Sequence, residues 1–180
     1  MAPGDPYIQG FAQYLDQAIT WAGQTGLKVW IDLHGAPGTI NFCKSDIEGS
    51  QNGFDNSGRK GPIDWPDGPN IGYTQQALQA IIGNYSVAPY AGTVVGIEVL
   101  NEPNGYVIPL YMDNNTVADV SSTISGYYDT AVGLVQNANN QMLFIIHDAF
   151  ESLYYWTSFA NPNAVLDTHH YEGGSLADMY

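Results

Sequence analysis

Four apolar runs in this chain each stop at a polar or ionisable residue, and that repeat limits the possible folds more than any other feature. Lys28-Val29-Trp30-Ile31-Asp32-Leu33 runs into His34 and then Gly35-Ala36-Pro37-Gly38. Val94 to Leu100 runs into Asn101-Glu102-Pro103. Met142 to Ile146 runs into His147-Asp148, and Ala164 to Thr168 into His169-His170-Tyr171. Short runs rich in β-branched residues and closed by turn signals read as buried strands. Proline cannot donate a ladder hydrogen bond, so Pro103 ends its strand just after Glu102. One ionisable strand end is coincidence; four in succession place a set of functional groups along one rim.

Helical periodicity fills the intervals. Ile8, Phe11, Leu15, Ile19 and Ala22 share a helical face, with Gly26 just past the end as the C-cap. Ala77 and Ile81 suggest a helix from Tyr73 to Tyr85. Val117, Val120, Ile124, Tyr127, Ala131, Leu134 and Ala138 make a third, and Glu151 to Phe159 a short fourth. A strand–helix alternation of this kind predicts parallel strands joined by right-handed crossovers. Four strands cannot close a barrel, and no Gly-rich dinucleotide fingerprint supports an open Rossmann sheet. The expectation is an α/β chain forming part of a (β/α)8 TIM barrel, with chemistry at the C-terminal ends of the strands. The Gly-, Asn- and Asp-rich stretch from Thr39 to Asn70 has no period, and loops of that length are usually functional or disordered.

Composition narrows the partners. Among 180 residues there are 18 Asp and Glu against 4 Lys and Arg, a net charge of -14. Nucleic acid and anionic lipid surfaces both require clustered cations, so a neutral ligand suits this surface better. Thirteen Tyr and 4 Trp fit stacking on sugar rings, although most aromatics belong in a core. A single cysteine, Cys43, excludes an internal disulfide. Asn84-Tyr85-Ser86 and Asn114-Asn115-Thr116 are glycosylation sequons. No apolar run is long enough to span a bilayer, and Met1 to Gly10 does not read as a signal peptide.

Glu102 is the leading candidate for a general acid, since burial against apolar walls at the strand end would favour a protonated carboxyl. A structural carboxylate capping the next helix is the alternative. Asn101 supplies a neutral hydrogen-bonding group beside it. His34 is placed to orient a substrate. His169 and Tyr171 fall on one face of their strand and His170 on the other. No metal-ligand spacing such as H-E-x-x-H occurs, so neither metal nor cofactor is expected. No G-x-S-x-G elbow supports a serine hydrolase. Trp65, Phe54 and Tyr106 follow strands, where a ring can stack on a sugar or simply pack.

Taken in order, Val29 to Gly38, Ser50 to Gly58, Gly96 to Pro103, Ile145 to Phe150 and His169-His170-Tyr171 resemble the fungal exo-β-1,3-glucanases of glycoside hydrolase family 5. The resemblance runs from about Pro6 to Glu172. It implies roughly strands three to six of a (β/α)8 barrel and a retaining release of glucose from the non-reducing ends of β-1,3-glucan. It implies Glu102 as acid/base and Asn101 as contact to the sugar 2-hydroxyl. His34, His169 and Tyr171 would line the glucose subsite, and Phe54 would clamp the pocket mouth. A secreted or wall-associated protein, monomeric when complete, is the corresponding expectation.

Two departures accompany the resemblance. Residues 39–49 interrupt a junction that is direct in the family, as a loop insertion or a translated intron. The family's nucleophilic glutamate follows the seventh strand and has no counterpart here, so this chain alone is expected to be nearly inactive. Hydrolysis of β-1,4- or β-1,6-glucan on the same barrel, or glucan binding without catalysis, are the competing readings.

Overall fold

The computed structural model describes residues 10–37, 65, 69–103, 105–107, 118–119, 121–159 and 161–169. The elements are α1 (Ala12–Gln24), β1 (Val29–Asp32), α2 (Asn70–Tyr85), β2 (Val94–Glu98), β3 (Tyr106–Val107), β4 (Ala118–Asp119), α3 (Ser121–Ala138), β5 (Leu143–His147) and β6 (Ala164–Asp167). Strands β1, β2, β5 and β6 form one sheet in that order, every pairing parallel. The expected alternation and its parallel sheet are therefore present, as part of a (β/α)8 barrel.

Side chains alternate across the sheet with the two-residue period of a strand. Ile31, Ile97, Phe144 and Ile146 join the core formed with the helices. From α2 that core takes Leu78 and Ile82, one turn apart; from α3 it takes Ile124, Tyr127, Tyr128, Ala131 and Val135. The strand residues of opposite parity share the inner face: Trp30 and Asp32, Gly96 and Glu98, Ile145 and His147, Val165 and Asp167. Gly96 is required there. A Cβ at that position would lie 2.7 Å from Ile145 Cδ1 and 3.2 Å from both Leu143 Cβ and Trp30 Cβ.

Several boundaries differ from the sequence expectation. The α1 helix ends as expected: Gly26 has φ +78, and Leu27 N–H reaches back to the Ala22 carbonyl at 2.9 Å. Phe11, assigned to its buried face, precedes the helix and is exposed. The third helix starts at Ser121 rather than Val117, because Ala118–Asp119 pairs antiparallel with Tyr106–Val107. That ribbon has no sequence signal longer than two residues per strand. Only a 3-10 turn, Tyr155–Ser158, forms in the stretch expected to be a fourth helix. Strands β1, β2 and β6 are shorter than their apolar runs, and backbone bonds continue beyond the regular ladder. Leu33 N–H bonds Glu98 O, Asn101 N–H bonds Leu33 O and Val99 N–H bonds Ile145 O.

Candidate active site

Each sheet strand delivers its last residues to one rim. After β2 the chain turns at Glu102, whose φ of +44 lies in the left-handed region that an L-residue enters at a cost. Strain of this kind, about 1–3 kcal/mol per residue, concentrates at functional sites. After β5 the backbone turns similarly, with φ +56 at Ala149 and +58 at Phe150. The two turns brace each other. Gly105 N–H bonds the Ala149 carbonyl at 3.0 Å, and the Ser121 hydroxyl bonds Glu151 Oε1 at 2.6 Å. Asp148 holds its own turn, accepting from Phe150 N–H at 2.9 Å and from the Thr168 hydroxyl.

Glu102 is 5% exposed, and its Oε1 lies 2.6 Å from His169 Nδ1. The structure thus brings together two residues 67 apart in sequence that were each assigned to the site. Glu102 is not enclosed by apolar walls alone, as expected from its strand; an imidazole stands against it and shares a proton with it. The other ring nitrogen, Nε2, is 3.3 Å from Asp167 Oδ2. Burial works against a charged His169, but the bond to Glu102 and the charges of Glu102, Asp167 and Glu98 push its pKa above the ordinary value.

His34 stands at the end of β1, half exposed, with Nδ1 2.7 Å from Asp32 Oδ2. Asn101 is buried beside Glu102. Phe54 and Tyr171, the remaining candidate contacts, lie outside the described residues, as does the 39–49 insertion. Of the two alternatives for Trp65 the structure shows packing: it is a core residue, 1% exposed, donating its indole N–H to Thr74 Oγ1 at 2.9 Å and packed edge-on to Tyr127. Phe150 was not singled out. It is 40% exposed and sets its ring edge-on to His147 at 5.0 Å, leaving an aromatic surface at the rim.

Two further groups were not assigned to the site from sequence, the first of them named there only as a strand end. His147 is fully buried, and its Nδ1 accepts the Ala149 N–H at 3.0 Å. That bond places the proton of the neutral ring on Nε2. Burial lowers the His147 pKa, against the charge of Asp148. On the inner face below Glu102 sit Asp32, Glu98 and Asp167. Burial, then the charges of Asp32 and Asp167, raises Glu98 to about 7. Asp32 is raised by burial despite its bond to His34. Charged residues inside otherwise apolar strands are the signal that would have found Asp32 and Glu98.

A family model described as cellulase, glycosyl hydrolase family 5, matches residues 3–179. The chain belongs to glycosyl hydrolase family 5. It is 42% identical over 171 residues to a probable glucan 1,3-beta-glucosidase A of Neosartorya fischeri, covering 94% of this chain and 36% of that protein. Glucan 1,3-beta-glucosidase 1 of Schizosaccharomyces pombe is 39% identical over 173 residues, covering 94% and 37%. This family 5 chain therefore spans little more than a third of the length of these curated relatives. Among solved structures, the rutinosidase from Aspergillus niger superposes with a TM-score of 0.71 at 20% identity, covering 97% of this chain and 48% of that one. That likeness confirms the fold.

Proposed function

We propose that this chain forms part of the catalytic barrel of a retaining glycoside hydrolase that releases glucose from the non-reducing ends of β-1,3-glucan. The observation that carries the reading is the buried Glu102 on the strand rim, bonded to His169 at 2.6 Å. The names of the 42% and 39% identical relatives support the linkage. In this reading Glu102 gives its proton to the departing glycosidic oxygen and later takes one from water. His169 holds that carboxyl in place through the 2.6 Å bond and itself lines the glucose subsite. Asn101 meets the sugar 2-hydroxyl, His34 and Tyr171 line the glucose subsite, and Phe54 closes its mouth. Retention needs a second carboxyl about 5 Å from the first, acting as nucleophile. As expected from the sequence, none of this chain's own carboxylates is assigned that role. The substrate is a wall polysaccharide, so the working place of the protein is proposed to be extracellular or in the cell wall, with the complete protein a monomer.

Glu102→Gln tests the assignment in the barrel that carries this segment. Laminarin hydrolysis is expected to fall about 100- to 10,000-fold, the usual contribution of a general acid. Hydrolysis of a dinitrophenyl glucoside, whose leaving group needs no proton, should lose far less in its first step. Equal losses on both substrates, or none on laminarin, would remove Glu102 from the role of proton donor.

A further inference from the structure

One motif of the sequence has no part in the proposed reaction. Asn84-Tyr85-Ser86 is an Asn-X-Ser sequon, with no proline inside it or directly after it. We propose that Asn84 carries an N-linked glycan, at the end of the sheet opposite the catalytic rim.

Asn84 lies in the last turn of α2, which ends at Tyr85, and the chain then leads into the start of β2 at Val94. Glu102 and the other rim residues follow the far ends of the strands, so a glycan here leaves that rim clear. Asn84 is exposed, whereas Tyr85 and Ser86 are buried. Its amide has no hydrogen-bond partner among the described residues. A Cβ on the adjacent Gly83 would meet nothing within 4 Å. This exposure does not depend on the rest of the barrel, because α2 has a neighbouring helix on either side. Tyr85 donates its hydroxyl to Asp16 Oδ1 of α1 at 2.9 Å, and Asn139, just past α3, donates its amide to the Ser86 carbonyl at 3.2 Å.

Ser86 points to the same use independently. It is 3% exposed, and its Oγ has no hydrogen-bond partner among the described residues. A buried hydroxyl without a partner costs free energy, so packing alone favours alanine there. Glycan transfer acts on the chain before it folds, and it reads a hydroxyl two residues after the asparagine. The serine that weakens the packed state is the one the sequon requires.

The donor is an oligosaccharide joined through a diphosphate to a membrane lipid. Asn84 Nδ2 attacks the anomeric carbon of its first sugar. The new C–N bond replaces the C–O bond to the diphosphate, which leaves with the lipid, and one amide proton passes to a base of the transferase. The attached glycan is bulky and solubilising, and it lies close in sequence to the exposed Val87, Ala88 and Pro89.

Such a glycan presupposes the extracellular location proposed above, since transfer takes place in the secretory pathway. With a secretion signal supplied to the chain, a failure bears on the site alone, while the laminarin assay judges the catalytic reading. The 180-residue chain behind that signal is produced in yeast, and both secreted and cell-retained chains are digested with peptide N-glycosidase in heavy-oxygen water. Mass spectrometry is expected to find the label at Asn84. Asn84→Gln and Ser86→Ala should each abolish one glycan-dependent step in gel mobility, and Ser86→Thr, which keeps a hydroxyl, should retain it. Made in bacteria without glycan, Ser86→Ala should melt no lower than the parent, so that its missing glycan reflects lost recognition. Because transfer precedes folding, the cell-retained fraction still reports occupancy for a variant that folds poorly. An unlabelled Asn84 overturns the site. So does a mobility step that survives both Asn84→Gln and Ser86→Ala, which would assign the glycan to Asn114 instead.

Discussion

Tyr128 is wholly buried on α3 and donates its hydroxyl to the His147 carbonyl at 3.0 Å. Its neighbour Tyr127 does the same for the Val99 carbonyl at 2.7 Å. Two phenols from one helix thus hold the ends of two strands at the level where the site begins. Tyr128→Phe keeps the ring packing but removes the donor, and is expected to cost about 1–3 kcal/mol. Urea unfolding with an unchanged slope would measure it. A loss below about 0.5 kcal/mol would mean that the carbonyl finds another donor. Glu102, His169, His34 and Asn101 were all readable as residues, because each closes an apolar run. The bond between Glu102 and His169 was not, since 67 residues separate them and only the sheet order sets them face to face.

At the scale of elements, parallel strands packed on helices leave the inner face with little spare room. Gly96 lies opposite Ile145, Leu143 and Trp30 at distances no added methyl tolerates without movement. Gly96→Ala is expected to destabilise by about 1–3 kcal/mol, the usual cost of overpacking. Because β2 carries Glu98 and leads to Glu102, the strand shift should also move the His169 imidazole resonances in a proton–carbon spectrum. Unchanged stability together with unchanged His169 shifts would refute the packing account. Long helices and central strands were legible from periodicity. The β3–β4 ribbon and the 3-10 turn were not, because two- to four-residue elements owe their form to what they pack against rather than to local pattern.

Charge acts on the whole molecule. Glu98, whose ordinary value is 4.5, is raised to about 7 in the fold. The folded state therefore holds a proton that the unfolded chain has released, and stability falls as pH rises from about 4.5 to 7. Asp32 and His169, both raised, push in the same direction. In chelator-treated buffer, Glu98→Gln should flatten this decline and leave the chain about 1–2 kcal/mol more stable at pH 8, after allowance for solvent screening. Parallel melts of both chains from pH 4 to 8 would measure it, and a wild-type chain that gains stability across that range would reverse the sign. The sheet's outer strands add a second global feature. Trp30 on β1 and Leu166 on β6 remain exposed, whereas β2 and β5 are almost entirely buried.

Period and punctuation in the sequence determined the alternation of strands and helices, the parallel sheet and the rim of polar residues, because these are local consequences of where apolar residues recur and where the chain can turn. Family membership was equally legible, since its motifs are contiguous. Tertiary structure alone decided that Trp65 belongs to the core, that Glu102 faces an imidazole, and that Asp32, Glu98 and Asp167 share one face. Those facts depend on which strands become neighbours and in what register. No local pattern encodes that; the pairing of the strands does.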